Sequence, residues 1–280
     1  MQSTRQNRKA QTSLTRRFLV LGLAALCIGF SSKSLAENES LRVAVAANFA
    51  QPAAEIAAAF ESQTGTPVRL STGATGKFYA QIRYGAPFDV LLAADSLTIS
   101  LLIEQGLAVS DGHLTYATGQ IALWSPDPTL FKDQAEAIEL LNTADFSRLA
   151  MANPQVAPYG QAAQSVLTHL GLGQSWLNKR VQGQSIGQTF QFVSSRNADV
   201  GFVALSQIIG QSKQTDLPNR HPSNKLVGST WLPPQSWYLP LKQDAAQLTA
   251  AQNPTQAQSF LSFLSSTEAR AIIERYGYQL

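Results

Sequence analysis

The residues best equipped for chemistry lie in Gly73-Ala74-Thr75-Gly76-Lys77, a Gly-rich turn entering a predicted helix. A nucleotide-phosphate loop would need Gly at position 71 and Ser or Thr at 78; this chain has Ser71 and Phe78, so that motif is absent. What remains is a helix N-terminus with free backbone N–H groups, a positive dipole end and the Thr75 hydroxyl, a set that suits an anion. Three other loops are similarly equipped: Ala47-Asn48-Phe49 after the first strand, Pro158-Tyr159-Gly160 and Ser185-Ile186-Gly187, each ahead of a helix. Taken singly, each also reads as an ordinary turn. Directed into one cleft, they would surround an anion with N–H and hydroxyl donors. Lys77 and Arg83, further along the second of these helices, are expected to face solvent.

An enzyme would need a nucleophile with a base, a carboxylate pair or metal-ligand spacing. The three histidines, His113, His169 and His221, are far apart in sequence and match no catalytic motif. H-E-x-x-H, G-x-S-x-G and Cys-based zinc patterns are absent. The sequence therefore reads as a binder without catalytic residues or a cofactor.

The elements that must position these loops alternate short apolar runs with helical segments. Leu41 to Ala47 is a predicted strand, followed by a helix from about Pro52 to Gln63 that Gly65 stops. Val68–Ser71 and Phe88–Ala93 read as strands, with helices at about Lys77–Tyr84 and from the Asp95 N-cap to Gly106. This alternation implies a parallel sheet covered on both faces, a doubly wound lobe. After Gly119 the pattern restarts. Strands are predicted at Ile121–Trp124, Arg148–Ala152 and Asp199–Ala204, with helices at about Gln161–Leu170 and Ile186–Ser195, a second α/β lobe. Five prolines between Lys213 and Pro240 suggest the chain crossing back, and helices at about Thr255–Ser265 and Thr267–Tyr276 finish the first lobe, with core spacing at Phe260, Phe263, Leu264, Ile272 and Ile273.

The N-terminus carries Arg5, Arg8, Lys9, Arg16 and Arg17 ahead of a thirteen-residue apolar run, Phe18 to Phe30. A membrane-spanning helix needs ~20 residues, and Ser34-Leu35-Ala36 supplies small residues for a signal peptidase. Residues 1–36 are expected to be a cleaved export signal, which places the mature chain in the periplasm. Six of the 21 basic residues and none of the 18 acidic ones lie there, which leaves 15 against 18, a net charge of −3. The basic pI of the full sequence therefore says nothing about a nucleic-acid partner, and no Lys/Arg stripe remains to support one. The single cysteine, Cys27, also leaves with the signal, so the mature chain relies on core burial alone.

Several stretches, in order, carry a resemblance: Val45-Ala46-Ala47-Asn48-Phe49, Ser71 to Gly76, Gly85-Ala86-Pro87-Phe88-Asp89-Val90, Asn153 to Gly160, Gly201-Phe202-Val203-Ala204, and the ending Ile273 to Tyr278. Over about Leu41 to Tyr278 the chain resembles the periplasmic molybdate-binding proteins of ATP-driven (ABC) transporters. The resemblance implies a type II periplasmic binding protein: two doubly wound α/β lobes joined by a two-strand hinge, with the ligand cleft between them. Lobe 1 would comprise residues 41–119 and 235–280, and lobe 2 residues 120–234. It implies a monomer that closes over molybdate or tungstate and delivers it to a membrane permease with its ATPase. It points to Ala47, Asn48, Thr75, Tyr159 and Ile186 as the ligand-binding residues. Molybdenum is then held only as molybdate, through Asn48, Thr75, Tyr159 and Ile186, with no counter-cation. Ala47 offers only its backbone, and Ala204 stands where many members place a cleft tyrosine. Alternatives are sulfate or another tetrahedral oxyanion as ligand, an extracytoplasmic anion sensor, and an exported hydrolase.

Overall fold

The computed structural model describes residues 40–172, 176–215 and 226–280. The expected export signal with Cys27, and His221 with Pro218 and Pro222, lie outside the described residues. Two five-stranded sheets carry the fold. The first has the order β2-β1-β3-β10-β4, from β1 (Leu41–Ala46), β2 (Val68–Gly73), β3 (Val90–Ala93), β4 (Leu114–Gly119) and β10 (Leu241–Gln247). The second has the order β7-β6-β8-β5-β9, from β5 (Ile121–Ser125), β6 (Leu149–Ala152), β7 (Arg180–Gly183), β8 (Val200–Ala204) and β9 (Ser229–Trp231).

The central strands β1, β3, β6 and β8 are buried along both faces because helices cover both. In the first lobe α1 (Ala50–Thr64), α2 (Thr75–Arg83) and α3 (Ser96–Glu104) follow β1, β2 and β3. Phe49, Ile56 and Phe60 pack on Val43 and Val45 together with Phe260 and Ile273 from the closing helices, α8 (Pro254–Leu264) and α9 (Thr267–Arg275). Phe78, Ile99 and Leu102 cover the other face against Ala44 and Leu91. The second lobe repeats the plan with α4 (Gln134–Thr143), α5 (Pro158–His169), α6 (Ile186–Ser194) and α7 (Leu205–Thr215). Asp95 caps α3 by accepting from the Thr98 N–H at 2.6 Å, and Gly65 ends α1 at φ 70°, both as the sequence indicates. α1 starts at Ala50, two residues before Pro52, because a single 3-10 turn over Ala47–Phe49 leads directly into it.

The expectation of a parallel sheet in the first lobe holds for β1, β2 and β3 and needs correction at β10. β1, β2 and β3 are parallel, as are β6, β7 and β8, but β10 and β5 run against their neighbours. The reason lies in the crossings. Parallel strands end at the cleft, and a strand that enters its sheet from the cleft must run the opposite way. β5 does so one residue after β4, with only Gln120 between them, and β10 does so after residues 232–240 return from β9. The two crossings lie side by side, with Leu241 in register with Gly119. They form the two-strand hinge.

Candidate functional site

The four candidate loops all sit at helix N-termini that end on the cleft, and three of them lack a capping side chain. Helix N-termini leave backbone N–H groups without intrahelical partners, and Ser, Thr, Asp or Asn usually fills the N-cap to satisfy one. Here the N-cap residues are Ala46, Ala74 and Ala157, none of which offers a side-chain acceptor. Ser185 caps the fourth helix through the Gln188 N–H at 3.2 Å, which leaves the first two N–H groups, of Ile186 and Gly187, uncapped. Asp95, Asp133 and Ser266 do cap their helices, whereas Asn253 at the start of α8 makes no side-chain cap bond. Pro158 takes the first position of α5, so Tyr159 is the first residue there with an N–H to offer.

These ends converge. Ala46, Ala74, Ala157, Tyr159, Ile186 and Ala204 share one apolar cluster that spans both lobes. A β-carbon on Gly187 would lie 3.1 Å from the Ala47 Cβ, which brings the first and fourth loops together. The Gly76 N–H donates to the Val156 carbonyl at 2.9 Å, which joins the second and third loops across the cleft. Asn48, Thr75, Tyr159 and Ile186 are each no more than 4 % exposed, and Ala47 is half-buried, so most of the site is shielded from solvent. Lys77 and Arg83 are exposed, and the Arg83 guanidinium lies 5.6 Å from the Tyr79 ring centroid, away from the loops, as expected from sequence.

The side chains divide the work. Thr75 Oγ1 accepts from the Ala94 N–H at 3.1 Å, which ties α2 to the end of β3 and leaves the hydroxyl proton to donate. Asn48 turns its amide inward instead, donating from Nδ2 to Gln243 Oε1 at 2.7 Å and to Tyr278 Oη at 3.0 Å. What Asn48 brings to the cleft is therefore its main chain. The Tyr159 phenol reaches to Gly119 and lies beside Tyr278. Burial raises the pKa of both phenols, so both stay neutral. Ala204, at the end of β8, is fully buried and donates its N–H to Gln207 Oε1 at 3.0 Å, while Gln207 Nε2 reaches the Ile186 carbonyl at 3.3 Å. The loops thus bring helix N-termini and a hydroxyl together in an apolar surround, a chemistry suited to an anion.

Sequence reasoning missed Gln243, Ser206 and Gln207, which support these loops from elsewhere in the chain, and Val156 was visible only as part of the Asn153 to Gly160 stretch. Tyr278 was visible only as part of the ending stretch. The two histidines among the described residues make other contacts: His113 Nδ1 contacts the Ser110 carbonyl at 2.7 Å, and His169 stacks on Trp237 at 4.3 Å. Among the described residues no three His, Cys, Asp or Glu side chains gather as metal ligands.

Comparison with known proteins places this arrangement. Residues 41–279 match the family described as bacterial extracellular solute-binding protein. The molybdate-binding protein of Azotobacter vinelandii is 41 % identical over 268 residues, covering 96 % of this chain and 98 % of the relative. That of Rhodobacter capsulatus is 40 % identical, covering 92 % and 95 %. The solved structure of the Azotobacter vinelandii periplasmic molybdate-binding protein superposes with a TM-score of 0.78 at 37 % identity, over 86 % of this chain and 99 % of that one. The chain belongs to the bacterial extracellular solute-binding proteins, within the family of the periplasmic molybdate-binding proteins.

Proposed function

We propose that this protein captures molybdate, and tungstate alike, in the periplasm and delivers it to the permease of an ABC transporter. The observation that carries the reading is the set of helix N-termini gathered between the lobes, three of them with alanine where a capping side chain belongs. The Gly76 N–H is taken by the Val156 carbonyl, and the first N–H groups that no cap satisfies are left for an external acceptor. Ala47, Asn48, Tyr159 and Ile186 present main-chain N–H groups, and Thr75 adds its hydroxyl. Each charge-assisted bond contributes ~1.5–3 kcal/mol, and micromolar binding needs only ~8 kcal/mol.

Selection follows from the same cage. Fixed donors match oxygens at one radius, so molybdate and tungstate fit alike while the smaller sulfate leaves donors unpaired. Phosphate retains a proton that meets donors only. The two lobes, residues 41–119 with 235–280 and residues 120–234, close about the hinge, and the closed monomer is what the permease recognises. An export signal over residues 1–36, cleaved before Glu37, completes the reading.

The test is thermal unfolding of residues 37–280 with molybdate, tungstate, sulfate or phosphate. A ligand at a hundred times its Kd adds ~2.7 kcal/mol, roughly 5–11 °C for a chain of this size. A rise with molybdate and tungstate alone is expected. A rise with sulfate alone would reassign the ligand, and no rise with any anion would remove the binding function.

A further inference from the structure

Asn48 is held from behind by a buried polar relay that no part of the anion cage requires. Its Nδ2 donates to Gln243 Oε1 and Tyr278 Oη, and its main-chain carbonyl accepts from Ser206 Oγ at 2.8 Å and from Tyr278 Oη at 2.9 Å. Gln243 has one orientation available: Nε2 donates to the Leu241 carbonyl at 2.7 Å, so Oε1 must face Asn48. Asn48, Gln243, Tyr278 and Ser206 are all 5 % exposed or less. The need for donors at the Asn48 carbonyl is written in the sequence. Its α-helical partner would be the N–H of residue 52, and Pro52 has none.

We infer that Gln243 and Tyr278 are positioning residues that aim the Asn48 main chain at the anion, and that Ser206 is the latch by which the second lobe locks onto that loop. The inference rests on the reading that the Ala47-Asn48 loop binds the anion. With its amide nitrogen and its carbonyl both tied, and only the buried Oδ1 without a partner among the described residues, Asn48 has little freedom left, and the direction of its N–H is set. Gln243 lies on β10 of the first sheet, and Tyr278 precedes Gln279, which bridges to Thr118 on β4. Their contacts with Asn48 lie within the first lobe, while Tyr278 Oη also reaches across to Ser206 Oγ at 3.2 Å. Ser206 is different. It stands in the first turn of α7, immediately after β8 of the second sheet, so its bond to the Asn48 carbonyl crosses between the lobes. On this inference it forms on closing and breaks on opening, although Leu205 beside it also bonds the Gln120 carbonyl in the hinge.

The two roles separate kinetically. Loss of a latch speeds opening and leaves the encounter with the anion untouched, whereas loss of a fold-stabilising contact lowers the melting temperature of the ligand-free protein as well. The experiment measures molybdate association and dissociation by stopped-flow tryptophan fluorescence for wild type, Ser206→Ala, Tyr278→Phe and Thr75→Val, with melting of each without ligand. For Ser206→Ala, about five- to tenfold faster dissociation is expected, the loss of roughly one hydrogen bond, with unchanged association and unchanged ligand-free melting. For Tyr278→Phe the affinity falls and the ligand-free protein melts lower. Unchanged dissociation in Ser206→Ala, or a matching fall in its ligand-free melting temperature, would overturn the latch. Affinity lost in Thr75→Val but intact in both relay variants would leave the anion site standing and sink the relay alone. No molybdate binding by the wild type would remove the functional reading and the relay together.

Discussion

The Tyr159 hydroxyl stands directly over Gly119, in the space that a β-carbon on that residue would fill. Gly119 closes β4 at the hinge, and Tyr159 is the second residue of α5, so the phenol spans from the hinge to one of the anion-facing helix ends. Gly119→Ala should force the ring aside, at the ~1–3 kcal/mol typical of overpacking a core, and displace the α5 N-terminus with it. Chemical denaturation and molybdate titration should both register the change. Adding Tyr159→Phe removes the clashing oxygen and should restore most of the lost stability, a non-additivity that a double-mutant cycle reads directly. Additive effects would mean that the two residues do not compete for this space.

Thr75 has two tasks, accepting from the Ala94 N–H and offering its own proton to the ligand. Thr75→Val keeps the shape and ends both. The Kd for molybdate should rise roughly 10- to 150-fold, the loss of one charge-assisted hydrogen bond. Thr75→Ser retains the hydroxyl and should bind within a few-fold of wild type. Calorimetric titration that finds the two variants equal would remove the hydroxyl from the site.

Asp89 accounts for part of the Gly85 to Val90 stretch, and its role is structural. Its fully buried carboxylate accepts from the Arg42 main-chain N–H at 2.7 Å, from the Arg42 guanidinium at 3.1 and 3.0 Å, and from the Gln252 N–H at 2.8 Å. Burial pushes its pKa up, but the Arg42 and Gln252 hydrogen bonds outweigh burial and hold it below the usual carboxylate value. The folded protein therefore binds this proton less readily than the unfolded chain. Its contribution to stability is full above the unfolded value near ~4 and is lost as pH falls through the lower folded value. Asp89→Asn should cost about 1–3 kcal/mol in urea unfolding at pH 7, with the gap to wild type narrowing as the pH is lowered below 4. A gap that stays constant with pH would mean that the carboxylate charge contributes nothing.

The ends of the parallel strands were legible because Gly, Pro and helix-cap residues punctuate them locally, as at Gly65, Asp95 and Pro158. Thr75 and the N–H groups near it could be found for the same reason: a Gly-rich turn before a helix is a local signal. β10 was not legible. Its sequence, Leu241-Lys242-Gln243-Asp244-Ala245-Ala246-Gln247, reads as polar, yet Gln243 is buried against Asn48, 195 positions away, and Asp244 accepts from Thr115 Oγ1 at 2.7 Å. A buried polar residue satisfied by a distant partner looks, in sequence, like a surface residue. The inward turn of the Asn48 amide was hidden in the same way, since nothing near Asn48 in the chain names Gln243 or Tyr278.

Gly76 offers the sharpest separation of closing from folding. It lies in the first turn of α2 with Val156 of the opposite lobe against it, and a β-carbon there would sit 3.0 Å from both the Val156 Cα and its carbonyl oxygen. Both residues also line a groove of about 610 Å³ at the mouth of the cleft, so their N–H to carbonyl bond stands between the shielded site and solvent. With the lobes apart, Gly76→Ala meets no neighbour and should stabilise α2 by ~0.5–1 kcal/mol. With the lobes closed it must push Val156 back at a cost of ~1–3 kcal/mol. The ligand-free variant should therefore melt at or slightly above the wild-type temperature while its molybdate Kd rises roughly 5- to 150-fold. Small-angle scattering should show the wild type compacting at molybdate concentrations that leave the variant extended. Equal affinity and equal compaction would show that the second and third loops need not meet for the anion to be held.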